Sequence, residues 1–293
     1  MYDICCIGHI TLDRVITPEA DVFMPGGTAW YFSKAISRLP VKYQLITALA
    51  QTEQRFVQQL IDEGVNVQSF PSPATVYFEN IYAGNRDERT QRVLQTANHF
   101  TAAQMSNATA RIFHLGTLLA DDVPVSIIKL LKEKGRVAAD VQGYLRKLDG
   151  SSVKATDWKD KIEALPFIDI LKVNEHELLA LTGTSNIATG AQQLLFWGAK
   201  EILVTLGSKG SVIYDGNHFY NIPAYTPAVT LDATGCGDTY MAGYLYKRVK
   251  GASPADAGKF AAAMATLKIE KQGPFNGTEA EILSVIQNNS IVC

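Results

Sequence analysis

Little in this chain points toward a structural metal, a membrane or nucleic acid. Only four cysteines occur among its 293 residues. They are Cys5, Cys6, Cys236 and Cys293, and none forms a Cys-x-x-Cys pair. The five histidines are few and scattered, so no zinc cage can be drawn from the spacing. No apolar run is long enough to span a bilayer. No basic-then-apolar leader opens the sequence, which makes a reducing cytoplasm the expected location. The net charge is only −2, and no Lys/Arg stripe gathers on one segment. That removes the electrostatic basis for binding nucleic acid or an anionic membrane. Repeats, low-complexity tracts and long linkers are missing as well. What remains is an ordinary globular composition, 47% hydrophobic and 19% charged, of a length that one α/β body with an appendage accommodates.

The order of apolar runs and turn signals predicts that body. Ile4 to Ile10, Tyr43 to Ala48, Arg111 to Leu115, Arg136 to Asp140 and Ile168 to Val173 read as strands. Trp30 to Leu39, Glu53 to Glu63, Val123 to Lys134, Glu175 to Leu181, Ala255 to Lys271 and Glu279 to Gln287 read as helices. Ile202 to Leu206 and Ser211 to Tyr214 read as a further strand pair. Such alternation predicts a mainly parallel sheet covered on both faces. Two stretches break the rhythm, 13–25 and 75–95, where β-branched and aromatic residues partly alternate. They are expected to pair as a small separate sheet, either a lid that excludes water or a plain surface hairpin.

The most specific segment is Leu231-Asp232-Ala233-Thr234-Gly235-Cys236-Gly237-Asp238-Thr239, followed by a helical run. Two glycines one residue apart let successive N–H groups converge on a concavity, and a helix opening there adds its positive dipole end. An acid at the mouth of such a nest repels a resting anion. It makes sense as a base that takes a proton from a hydroxyl while the nest holds charge developing on a phosphoryl group. The simpler alternative is a glycine turn with Asp238 as helix cap.

This segment resembles the C-terminal signature Asp-Thr-x-Gly-Ala-Gly-Asp of the PfkB/ribokinase-type carbohydrate kinases, with Ala233 in the usual Thr place and Cys236 in the usual Ala place. The resemblance implies a ribokinase-like three-layer α/β/α sandwich with a small β-sheet lid, a single domain over residues 1–293. It also implies that Asp238 is the catalytic base and that the amides of Gly235, Cys236 and Gly237 form an anion hole. The helix dipole is expected to lower the Cys236 thiol pKa.

Further segments fall in family order along nearly the whole chain. Pro25-Gly26-Gly27-Thr28-Ala29 resembles the N-terminal Gly-Gly signature, with Thr28 a candidate helix cap; the usual Asn that follows is replaced by Trp30-Tyr31-Phe32. The resemblance makes Gly26 and Gly27 acceptor-binding, together with Asp13, whose carboxylate suits vicinal hydroxyls. Asp140 and Arg146, in Asp140-Val141-Gln142-Gly143-Tyr144-Leu145-Arg146, are further acceptor candidates, or else an internal salt bridge. Lys172-Val173-Asn174-Glu175-His176-Glu177 places Asn174 and Glu177 on one face of a helix start, which is a capping box or, by resemblance, the Asn-x-x-Glu motif that positions Mg²⁺ through water.

Nucleotide contacts implied by the resemblance are Asn174, Thr205, Gly207, Gly210 and Gly273. The loop Glu270 to Phe275 and Asp232 are implied to hold a monovalent cation such as K⁺. The expected reaction is ATP-dependent phosphorylation of a sugar, polyol or nucleoside. Two alternatives remain: a non-catalytic binding member of the same fold, or a kinase of a phosphorylated sugar that uses Arg86, Arg89 and Arg92. Trp30, Tyr31, Tyr77 and Phe78 are candidates for stacking on the acceptor, and the lid is a candidate homodimer contact.

Overall fold

The computed structural model of the chain describes residues 1–82 and 89–289. β1 (Tyr2–Ile7) sends Ile4 and Cys6 into one apolar cluster and Cys5 and Ile7 into another. A strand apolar on both faces has to lie between two layers. The chain then leaves the main sheet as an antiparallel hairpin, β2 (Thr11–Ile16) and β3 (Asp21–Gly26). It returns through α1 (Gly27–Ile36), β4 (Tyr43–Leu49), α2 (Gln54–Asp62) and β5 (Asn66–Pro71). A second excursion follows, β6 (Val76–Tyr82) and β7 (Arg89–Gln95), with β6 parallel to β2.

β8 (Ala110–Leu115), α3 (Val125–Lys132) and β9 (Arg136–Asp140) rejoin the main sheet. The hairpin β10 (Arg146–Asp149) and β11 (Ser152–Ala155) departs once more and joins β7. Then come α4 (Lys161–Ala164), β12 (Ile170–Asn174), α5 (Glu175–Thr182), α6 (Ile187–Phe196) and β13 (Ile202–Thr205). The antiparallel edge β14 (Ser211–Tyr214) and β15 (Phe219–Ile222) precedes α7 (Cys236–Val249), α8 (Pro254–Ile269) and α9 (Glu279–Asn289).

The main sheet has the order β15-β14-β13-β12-β9-β8-β1-β4-β5, parallel from β13 to β5. One cluster fills the face under α1, α2, α7 and α8, the other the face under α3, α5 and α6. This is the expected three-layer α/β/α sandwich. No helix among the described residues is long and apolar enough to cross a membrane.

The expected strands and helices form close to their expected limits, except that α1 runs from Gly27 to Ile36, three residues ahead of expectation, and β1 stops at Ile7. There the Gly8 N–H reaches the Ile46 carbonyl at 3.1 Å, and the Ile10 N–H turns to Thr47 Oγ1 at 3.2 Å. The lid is larger than the two excursions suggest, a six-stranded sheet β10-β11-β7-β6-β2-β3. Its third hairpin comes from Arg146 to Ala155, where each four-residue strand offers one apolar side chain, Leu148 or Val153, to the lid's small core of Val76, Phe78 and Val93. Strands of four residues are too short to carry a clear periodic signal. The tip of the second excursion, including Arg86, lies outside the described residues.

Candidate active site

Strand order in the main sheet reverses between β1 and β8, and open α/β sheets form a crevice at the carboxyl end of such a junction. Asp140 closes β9, Lys172 and Asn174 stand at the end of β12, and the lid rises directly after β1. Against this crevice α7 presents its N-terminus.

Gly235 is the N-cap of α7 with φ +77°, and no side chain caps the helix. Glycine is required twice over here. The backbone is left-handed, and a Cβ would fall 2.3 Å from Tyr31 Cδ1. Tyr31, in the place of the family's usual Gly-Gly-adjacent residues, therefore supports the nest from below and is not a stacking surface. Cys236 N–H is turned inward to the Ala233 carbonyl at 3.2 Å, which corrects its expected place in the anion hole. Gly237 and Asp238 follow in the first turn of α7, whose leading N–H groups have no intrahelical acceptor.

Asp238 lies in the first turn of α7 and is not its cap. It is half-buried and its carboxyl is pushed up to about 6, first by burial and then by the charge of Asp140. Lys172, a hydrogen bond from the Thr28 hydroxyl and Arg146 act in the opposite direction. Thr28 sits inside α1, whose N-cap is Gly26 without a side-chain bond. The expected capping role is thus replaced by a bond to the candidate base. A carboxyl held near neutrality beside a nest of donors suits proton abstraction from a hydroxyl.

Asp140 is an ion-pair partner. It pairs with Lys172, and both side chains are more than nine-tenths buried. Burial opposes charge on both, and mutual attraction outweighs it, so Asp140 is held below the usual carboxylate range and Lys172 above the usual amine range. The Lys172 ammonium also lies 3.5 Å from the point where a Gly237 side chain would begin. Lys172 is the site residue that sequence reasoning passed over, and Thr28 the one to which it gave a different role. A lysine inside an apolar strand was the available signal.

The paired glycines after β3 are explained by close approach. At Gly26, extended at φ −149°, a Cβ would fall 2.3 Å from Asp13 Oδ2. Gly27 has φ +81°, and its Cβ would fall 2.8 Å from the His9 carbonyl. Asp13 Oδ1 accepts from the Thr11 hydroxyl at 2.5 Å, so the carboxylate is oriented against the glycine backbone at the lid's base.

Asn174 and Glu177 realise the capping box. Asn174 Oδ1 accepts from the His176 and Glu177 N–H groups at 2.9 Å each, and Glu177 Oε2 accepts from the Asn174 N–H at 2.8 Å. Burial and the Asp140 charge raise the Glu177 pKa, with Lys172 and Arg146 opposing. One Glu177 oxygen is taken by the box. A single carboxylate under negative pressure fits Mg²⁺, which prefers one or two carboxylates, waters and phosphate oxygens. A cleft of about 470 Å³ opens here, lined by Gln91, Gln142, Arg146, Asn174, His176 and Glu177. It brings Arg146 to the Asn174–Glu177 side of the site, although Asp13 and Asp238 do not line it.

On the nucleotide side the expected residues are less free. Thr205 Oγ1 donates to the Val173 carbonyl at 3.3 Å. Gly210, at φ +92°, packs so tightly on β15 that a Cβ would fall 2.0 Å from the Ile222 carbonyl. Gly207 and Gly273 have φ +58° and +75° with open space beside them, and Gly273 N–H donates to Asp232 Oδ2 at 3.0 Å. Asp232 does not fit a monovalent metal ion. Its carbonyl and Oδ2 both accept from the buried Lys268 ammonium, at 2.8 and 3.2 Å.

Two other expectations are corrected. Trp30 packs edge-on against Phe56 in the core and Phe78 lies in the lid's own cluster, so neither presents a stacking face, while the partly buried Tyr77 meets Phe23 at 6.3 Å. The Cys236 thiol is not activated: burial pushes it up to about 11. Arg92, half-exposed, is tied to Glu79 at 3.3 Å.

The profile described as pfkB family carbohydrate kinase matches residues 1–281. The cytidine kinase of Thermococcus kodakarensis is 27% identical over 253 residues, spanning 84% of this chain and 88% of that protein. A pyrophosphate-dependent kinase of the ribokinase family, solved with a pyrophosphate analog and myo-inositol, superposes at a TM-score of 0.86 with 29% identity, covering 96% of this chain and 99% of that one. Arabidopsis thaliana ribokinase, solved with ribose and ATP, shares the fold at a TM-score of 0.82 and 22% identity, with 98% and 99% covered.

Proposed function

This chain belongs to the pfkB family of carbohydrate kinases and phosphorylates a hydroxyl group, and we propose that it transfers the terminal phosphoryl group of ATP to a small cyclic polyol or sugar. The observation that carries this reading is Asp238, a carboxyl raised to about 6 in the first turn of the helix that Gly235 opens. Asp238 takes the hydroxyl proton as the acceptor oxygen attacks, and the leading amides of that turn receive the charge that moves onto the phosphoryl oxygens. Glu177 would hold Mg²⁺ through waters, and the ion would supply neutralisation of the donor's phosphate charge.

Asp13, fixed against Gly26, and the polar side chains near Arg146 orient hydroxyls. The Gln91 amide, which donates to Asn80 Oδ1 at 2.9 Å, gives the lid a polar floor. A polar floor favours a polyol over a nucleoside base. A second donor reading is supported by the 29% identity to a pyrophosphate-dependent kinase: pyrophosphate in place of ATP.

The test is a matrix of ATP and pyrophosphate against myo-inositol, ribose, fructose and cytidine with Mg²⁺, followed by phosphorus NMR. A new phosphomonoester from ATP and a polyol is the expected result. Turnover with cytidine alone overturns the acceptor assignment, and turnover with pyrophosphate alone overturns the donor. A folded protein idle with every pair overturns the reading.

A further inference from the structure

Behind the nest stands a lysine with no exposed surface. Lys268, near the end of α8, is fully buried, a state that charged side chains occupy only when paired. Its ammonium donates to the Asp232 carbonyl at 2.8 Å, to Asp232 Oδ2 at 3.2 Å and to the Lys271 carbonyl at 3.4 Å. An ammonium has three N–H donors and no acceptor, and three oxygens meet it. Asp232 is held in place on both sides, with Oδ1 accepting from Thr234 N–H at 2.9 Å and Oδ2 from Gly273 N–H at 3.0 Å. Two carbonyls and a carboxylate are the oxygen set that would hold a desolvated alkali ion. Here they hold a cation that is covalently part of the chain.

The position matters for the site. The cage joins the turn that enters the nest, Asp232 to Gly235, to the loop at Lys271 to Gly273. The Lys268 charge acts on the neighbouring Cys236 thiol, where it opposes the rise caused by burial, so its field reaches the first turn of α7. We infer that the Lys268 ammonium is a built-in monovalent cation supporting the anion-holding turn, and that this chain needs no added K⁺ or Na⁺. A tethered charge is present at any salt composition. It stabilises charge developing at the nest without first having to bind an ion. The inference builds on the kinase reading for its activity readout and is independent of it for its stability readout.

The experiment measures initial rate and melting temperature in potassium, sodium and choline chloride at one ionic strength, for the parent protein and for Lys268→Met. The parent is expected to show the same rate and the same melting temperature in all three salts. Lys268→Met, which keeps the length of the side chain and removes its charge, is expected to melt lower and to lose about 10²–10³-fold in turnover, the scale of removing one preorganised electrostatic contact. A parent that gains rate or melting temperature from potassium over choline overturns the inference. So does a folded Lys268→Met variant with full turnover, because the charge would then be a clasp alone. Should Lys268→Met fail to fold, the parent's salt comparison decides by itself. Absence of turnover in every salt counts against the kinase reading, and the melting comparison still decides for Lys268.

Discussion

Asp140 and Lys172 are register partners on the parallel strands β9 and β12, and their side chains close an ion pair sealed from solvent beside the candidate base. The pair acts on Asp238 with opposite signs: the carboxylate raises its pKa and the ammonium lowers it. Together they keep the site nearly neutral while leaving a positive group beside Gly237. A buried pair of this kind contributes little net stability over an apolar replacement, but either half left alone is costly.

That asymmetry gives the first prediction. Lys172→Met strands the Asp140 charge and should destabilise the fold by about 3–5 kcal/mol. Adding Asp140→Asn to the same variant should recover most of that loss. Urea unfolding of the single and double variants measures both. Equal stability of the two would mean that Asp140 has another partner.

Asp238 sets the pH behaviour. The base must be ionised, so kcat/KM should fall as pH drops below about 6. Thr28→Val removes a hydrogen bond that lowers the Asp238 pKa and should move this acid limb upward. Asp238→Asn should cost about 10²–10⁴-fold in turnover. The stability effect runs the other way. The folded pKa lies above the ordinary 3.8, so the stabilisation from the bound proton is full below that value and is lost as pH rises through about 6. The Asn variant should therefore melt higher than the parent at neutral pH, with the difference vanishing in acid. An acid limb unmoved in Thr28→Val would detach Asp238 from the rate.

Glu177 serves a cap and, in the kinase reading, a cation. Glutamine is also accepted at that position of a capping box, so Glu177→Gln separates the two duties. Stability should change by less than the ~1 kcal/mol that a cap is worth, while the Mg²⁺ concentration needed for half-maximal rate should rise. A metal titration that superposes on the parent's would leave Glu177 with capping alone.

Cys236 should be slow to alkylate. With its thiol raised to about 11, the thiolate fraction at neutral pH is on the order of one part in 10⁴. Its Sγ faces the Asp232 and Ala265 carbonyls at 3.9 Å each, away from the nest mouth. Cys236→Ala should keep full activity. Peptide mapping after iodoacetamide treatment checks the first expectation, and rapid labelling at Cys236 would refute the burial that underlies it.

Much of this protein was legible before any coordinates. Alternating apolar runs dictated a covered parallel sheet, because a strand apolar on both faces has no other stable place. Gly235 dictated a tight turn, and Gly26-Gly27 a close backbone approach, because a Cβ at these three positions would fall 2.3, 2.3 and 2.8 Å from a neighbouring atom. These are local constraints, and local sequence expresses them. What each polar side chain faces was decided elsewhere in the chain. Thr28 bonds Asp238 across 210 positions, Asp140 pairs with Lys172 across 32, and Asp232 receives the ammonium of Lys268 in place of a free ion. The Cys236 thiol is raised by the bodies packed over it, although its helix position alone argued for lowering. Charge and proton affinity depend on burial and on partners brought together by the sheet order. Neither quantity exists until the layers have closed.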